Sequence, residues 1–529
     1  MTTHTALSLT VASTLACFAA CGGSTVPEPR TATEPRAQEP PPREEATAEP
    51  PTKMPPPESG PARDIAFPPI QRASLDNGLE LNTVEWHQLP VVYLRLVVKS
   101  GAETDPENLQ GLSSLVAQML KEGTRRRSSA QLAEHIEFLG ADLWTGADEE
   151  NVHLVFRALS EHLDEAMDIL AEVATQPAFR PQELDKLKRR ERDRLSMMQK
   201  RPNFLARRTF YRELYGDHPY GRFDTTEEVL RRVRRADLVR WHRRHFVPSN
   251  AFLVAVGDVT PERVQQAATA AFGRWSGRPV PPPEFPELRP RTRREVFLVD
   301  RPGAVQSVIL LGNLGVARRD PDYIPLIVAN QVLGGSAASR LFMDLRERRS
   351  LTYGAYSQIG ERVDVAPFVA WAAVRTEVTH EAVDAFFENL ERIVTEPAPA
   401  GELRNAQRYL SDSFPLQIDT PGKVAGMVAD LRIFGLPDDY WTTFRTRIAQ
   451  VTPHEALQAA RHHIHPDKML VVVVGEAGQI ADGLRRWGPV TILDEDGAVQ
   501  QQLEPRPATS GEGESGGSGD SGDSDASNG

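Results

Sequence analysis

Residues 111–124 read GLSSLVAQMLKEGT. On a helix, positions 114, 117 and 118 lie on or beside one face. In the inverted zinc motif H-x-x-E-H, that spacing carries two imidazoles that share a metal and a Glu that activates the metal-bound water. Here the same places hold Ser114, Ala117 and Gln118. A hydroxyl and a neutral amide are poor zinc ligands, and a methyl group cannot act as a general base. The segment is expected to keep the frame of a hydrolytic metal helix and none of its chemistry.

Other chemically able residues point to structural roles. His242 and His245 in WHRRHF lie one helical turn apart and in geometry could share a metal, but a structural role is the expectation. His462, His463 and His465 in RHHIHPDK mark a helix end, where imidazoles can meet the last carbonyls. The basic run 231–235 is expected to be a solvated helix face. The sequence contains no phosphate-binding P-loop, no dinucleotide fingerprint and no G-x-S-x-G elbow.

Elements must position these residues, and the chain is long enough to build them. At 529 residues and 40% hydrophobic content it is expected to fold as several domains. A net charge of −12 argues against nucleic acid as a partner. Residues 7–20 form a short apolar run ending in FAACGGS, suited to a signal peptide and too short to span a bilayer. Ala19 and Ala20 before Cys21 resemble a lipoprotein processing site, which would make Cys21 the lipidated first mature residue. Both cysteines of the chain, Cys17 and Cys21, lie here, so the globular part has neither a disulfide nor a thiol nucleophile. Residues 22–66 are Pro-, Glu- and Thr-rich and are expected to be a disordered tether. Residues 491–529, rich in Gly, Ser and acids, are expected to be a disordered acidic tail.

Between them lies an internal repeat. VYLRLVVKSGAETDPEN, around Asp105-Pro106, echoes VILLGNLGVARRDPDY, around Asp320-Pro321. AFLVAVGDVTPERV echoes MLVVVVGEAGQIAD at nearly the same separation. Apolar strand runs alternate with amphipathic stretches such as 260–272 and 380–394. The expectation is an α+β protein of two homologous α/β-sandwich domains, 67–276 and 294–490, joined by the Pro-rich linker 277–293.

Several segments together resemble the insulinase and pitrilysin superfamily, in particular its processing-peptidase-like branch, over roughly 70–490. LDNGLELNTVEWHQLPVVYLRLVVKSGAETDPENLQGLS resembles the family's first strands and the turn into its metal helix. FRPQELDKLKRRERDRLSMMQKRP resembles the segment that supplies the third metal ligand, a Glu, and ungapped counting puts Arg194 there. YGDHPYGRF and VRRADLVRWHRRHFVPSNAFLVAVGDV resemble later first-domain segments. LGGSAASRLFMDLRERRSLTYGAYS resembles the segment in which an Arg and a Tyr seven residues apart reach from the second domain toward the active site of the first; here they are Arg346 and Tyr353. A guanidinium and a phenol can hydrogen-bond a peptide backbone or a developing oxyanion. Glu149 and Glu150 fall where family strands line an internal peptide chamber.

The resemblance implies a clam-shell half without hydrolytic activity of its own, with Ser114, Ala117, Gln118 and Arg194 at degenerate metal-site positions and no metal held by this chain. It further implies a heterodimer in which a homologous partner brings H-x-x-E-H and zinc, this chain supplies chamber wall and the Arg346/Tyr353 pair, and an unstructured peptide is the substrate. The alternatives are a peptide-binding or scaffold lipoprotein with no part in hydrolysis, and an active enzyme with unorthodox ligands. Lipid on Cys21 would anchor the protein in the cell envelope with its globular part outside the cytoplasm, in the periplasm where an outer membrane exists.

Overall fold

The structure, a computed structural model, describes residues 65–506. The expected signal segment with Cys21, the expected tether up to residue 64 and the part of the expected tail from residue 507 lie outside the described residues. Among the described residues, no helix is long and apolar enough to cross a membrane.

One sheet comprises β1 (Gln71–Ser74), β2 (Glu80–Glu85), β3 (Val91–Val98), β4 (Asp142–Ala147), β5 (Val152–Leu159) and β6 (Ala251–Gly257), in the order β1-β2-β6-β3-β5-β4. The other comprises β7 (Glu295–Asp300), β8 (Gln306–Leu314), β9 (Thr352–Ile359), β10 (Pro367–Arg375), β11 (Leu470–Gly475), β12 (Val490–Leu493) and β13 (Val499–Leu503), in the order β13-β12-β7-β11-β8-β10-β9. Five strands correspond one for one. β2 runs parallel to β6 as β7 does to β11, and β3 is antiparallel to β6 as β8 is to β11. The repeated sequence units therefore occupy equivalent places, β3 with β8 and β6 with β11. The protein is α+β with two similar halves, and residues 277–293 between them carry no helix or strand.

Helices α1 (Leu112–Leu120), α2 (Pro181–Met198) and α3 (Pro202–Tyr215) follow strands of the first half; α4 (Tyr323–Leu333), α5 (Pro421–Ile433) and α6 (Pro453–His463) follow strands of the second. Every residue of β6 and of β11 is buried, so both faces of each central strand are covered. The cover comes from both halves. α3 packs on β8 and β11 of the second sheet, and α5 packs on β3 and β6 of the first. Strand parity divides the work. In β11, Val471 and Val473 join the core of the second half's own helices, whereas Leu470, Val472 and Val474 meet Phe204, Leu205 and Phe210 of α3. In β6, Leu253 and Ala255 face the first half's helices, whereas Phe252, Val254 and Val256 join the cluster that contains Val424 and Val428 of α5. Gly312 on β8 makes the close approach of α3 possible, because a Cβ there would lie 2.6 Å from the Phe210 ring and against the Phe368 carbonyl. Neither half can bury its sheet alone.

Residues 491–503 are not part of the disordered tail expected from residue 491. β12 continues to Leu493, the chain turns at Gly497 (φ 90°), and β13 returns antiparallel to β12 as an edge strand. Gln500, Gln501 and Gln502 are exposed. Composition could not reveal this strand because it buries almost no side chain and is held through backbone groups that every sequence carries.

Candidate functional site

α1 is fixed at its start by Asp105. That carboxylate accepts hydrogen bonds from the Gly111 amide (2.7 Å), the Ser113 amide (2.8 Å) and the Ser113 hydroxyl (3.2 Å). Burial pushes the Asp105 carboxyl up to about 7 against the pull of these donors. Gly111, the residue before the helix, has φ 84°, and a Cβ there would lie 2.7 Å from the Thr225 Cβ. Leu112, Leu115, Val116, Met119 and Leu120 turn into the core, and so does Ala117, which is fully buried. Ser114 and Gln118 remain partly exposed on the next face. Gln118 Nε2 lies 3.5 Å from Ser114 Oγ, too far for a strong hydrogen bond.

α2 packs against α1 and carries Arg194. The guanidinium donates through Nε to Glu191 (2.7 Å) and through Nη2 to both oxygens of Asp224 (2.8 and 3.0 Å). Burial works against the charge, but Asp224 and Glu191 together hold the Arg194 pKa above its ordinary value. The position that the resemblance assigns to a third ligand is thus filled by a closed ion-pair network. Arg194 is paired on both sides, and Glu191, buried one turn before it, is committed to it. The i, i+3 spacing of Glu191 and Arg194 was a legible signal; Asp224, 30 residues away, was not.

Arg346 lies in a single π-helical turn, Met343–Arg348, and Tyr353 at the start of the edge strand β9. The turn is pinned by Asp344, a buried carboxylate that accepts from Asn389 (2.7 Å), Arg348 Nε (2.8 Å) and Arg349 Nε (2.9 Å). Ser350 links the two elements with φ 55°, a strained conformation for a residue other than glycine, and such strain gathers at functional sites. The Arg346 guanidinium sits 4.8 Å over the Phe342 ring and 3.4 Å from Glu347, with its side chain 46% exposed. Tyr353 is 84% exposed and makes no side-chain hydrogen bond among the described residues. Neither residue bonds to α1 or α2. The pair is held on the surface and is not brought to Ser114 and Gln118 of the same chain.

His242, His245, Glu149 and Glu150 take structural roles. His242 Nε2 bonds the Ala174 carbonyl (2.8 Å) and His245 Nδ1 the Ser100 hydroxyl (2.9 Å), and burial lowers both imidazoles to about 4. They bond different protein groups. Glu149 and Glu150 join the halves: Glu149 pairs with Arg362, while Glu150 accepts from the Tyr220 hydroxyl and the Val363 amide. Burial raises Glu150 to about 7.

A family profile described as insulinase, peptidase family M16, matches residues 83–223, and one described as peptidase M16 inactive domain matches residues 232–410. The chain belongs to the M16 peptidase family. An uncharacterized zinc protease of Streptomyces coelicolor is 24% identical over 397 residues, covering 74% of this chain and 86% of the relative. A non-peptidase homolog of Helicobacter pylori is 23% identical over 397 residues, covering 74% of this chain and 90% of the relative. The crystal structure of a peptidase M16 inactive domain from Pseudomonas fluorescens aligns with a TM-score of 0.73 at 25% identity, over 77% of this chain and 98% of that one. This chain is an inactive M16-like homologue, and Ser114, Ala117 and Gln118 on α1 offer neither an imidazole nor a carboxylate.

With no metal-binding groups on α1, the zinc content of the purified full chain, measured by elemental analysis, is expected to be the same for wild type, Ser114→Ala and Gln118→Ala. Loss of about one zinc per chain in either variant would overturn this expectation.

Proposed function

We propose that this chain is the non-catalytic subunit of a heterodimeric zinc metallopeptidase. A homologous partner carries H-x-x-E-H and the zinc, and this chain supplies chamber wall and the Arg346/Tyr353 pair to an unstructured peptide. One observation carries the reading: the groups that would bind metal are replaced, while the two that would bind substrate are retained, exposed and without partners in α1 or α2. A peptide backbone held by Arg346 and Tyr353 against a partner's zinc-bound water gains two donors where negative charge develops. The name of the Helicobacter pylori relative, a non-peptidase homolog, agrees with a family member that works without its own hydrolytic centre. The test is co-purification of the full chain with an M16 homologue bearing an intact H-x-x-E-H, followed by metal analysis of each chain. A stable complex whose peptidase activity, and one of its zinc ions, are lost when the histidines of the partner's H-x-x-E-H are replaced supports the reading. Failure to assemble with any such homologue from the same cells moves the function to a peptide-binding scaffold.

The proposal places the complex at the cell envelope through lipid on Cys21. Wild-type protein is then expected to fractionate with membranes, and Cys21→Ser to become soluble while keeping its melting temperature, because the tether adds little apolar burial. Equal membrane association of the two proteins would refute the anchor.

A further inference from the structure

The turn between β8 and α4 and the last turn of α6 bring two carboxylates and two imidazoles together. Asp322 Oδ2 lies 3.2 Å from His462 Nδ1 and 3.1 Å from His463 Nε2. Ligand atoms of Asp320, Asp322 and His463 all fall within 4.8 Å of one another. Among the described residues no Lys or Arg pairs with either carboxylate; their only cationic partners are the imidazoles.

The first half shows what these groups do when they serve only the fold. Its counterpart of Asp320 is Asp105, buried, with both oxygens taken by the start of α1. Asp320 is partly exposed and accepts one amide, that of Asp322 (2.8 Å), through Oδ1. Among the described residues its second oxygen has no hydrogen-bond partner. The histidines are likewise released from capping α6. Asn313, at the end of β8, donates to the His463 carbonyl (2.8 Å) and accepts from the His465 amide (3.1 Å), so a side chain from the sheet closes the helix end. The supports are rigid: α6 starts with a reciprocal Thr452/Glu455 cap and Pro453, and it packs along α4.

We propose that Asp320, Asp322 and His463 form a binding site for a divalent transition-metal ion such as zinc, with His462 beside them as a fourth group. Mixed carboxylate and imidazole donors suit a borderline cation better than calcium or magnesium, which take oxygen ligands alone. The ion would neutralise the two carboxylates and tie the β8–α4 turn to the end of α6. Partial exposure of all three ligands provides its entry path.

The experiment titrates zinc into chelator-treated full-length protein by calorimetry and follows cobalt by its visible absorption. One zinc per chain is expected, with a melting temperature that rises with zinc concentration. Cobalt bound with imidazole and carboxylate donors reads ligation directly in the wild type, independent of any variant's folding. Asp322→Asn and His463→Gln are expected to weaken binding at least about tenfold, whereas His454→Gln, exposed at the start of α6, and Gln118→Ala leave it unchanged. Absence of saturable binding, or binding lost in Gln118→Ala and retained in Asp322→Asn, would overturn the site.

Discussion

Replacing Arg346 with Ala, or Tyr353 with Phe, in a complex with a zinc-bearing partner is expected to lower kcat/KM on an unstructured peptide by roughly a hundred- to thousandfold. This is the cost, about 2.7–4 kcal/mol, of removing one donor from a site where an oxyanion develops. The variants are suited to the test because folding does not depend on them. Arg346 is half-exposed and Tyr353 almost fully so, and surface changes of that kind stay within about 0.5 kcal/mol. Assembly is checked first, by sedimentation or co-elution. A kcat decrease at constant assembly assigns the pair to the transition state. If all three complexes hydrolyse the peptide equally, the chain contributes only wall, and the scaffold reading takes its place.

Phe210→Ala is expected to destabilise the whole described fold by about 3–5 kcal/mol, the usual cost of emptying a buried aromatic site. The residue belongs by sequence to the first half, yet its ring is fully buried among Val308, Leu310 and Val472 of the second sheet. A Cβ on Gly312 would lie 2.6 Å from that ring, so Gly312→Ala should also destabilise, here by overpacking. Phe138→Ala serves as the control: at 85% exposure it should leave the denaturation midpoint nearly unchanged. Because α3 and α5 are exchanged, Phe210→Ala is expected to lower unfolding midpoints reported by probes in either half. A midpoint shift confined to the second half would mean that the first sheet is stable without the exchange.

Much of this molecule could be read along the chain. The strands β6 and β11 were legible as AFLVAVG and MLVVVV, because continuous apolar runs of that length suit strands buried on both faces. Helix 261–272 was legible from Thr260, whose side chain accepts from the Arg263 amide, and Pro261 behind it. The repeat foretold equivalent positions in two sheets. By contrast, the exchange of α3 and α5 was hidden, since an amphipathic helix shows that it has a face to bury without showing against which sheet. The ordered strand β13 was hidden behind a Gln-rich, acidic composition.

The candidate site divides in the same way, and the division has a physical cause. The identity of a side chain is a property of the sequence alone: no packing can give Ser114 or Gln118 an imidazole or Ala117 a carboxylate, so the loss of hydrolytic chemistry at α1 was determined before folding. What a side chain does depends on partners that the sequence holds far away. Arg194 became a neutralised structural cation because Asp224 approached it from a separate loop. Glu150 became a seam between halves because the Val363 amide, 213 residues on, turned toward it. His463 met Asp322 across 141 residues because β8, through Asn313, had already closed the helix end. Hydrogen bonds and ion pairs act over about 3–4 Å, and only the tertiary fold decides which groups come within that distance.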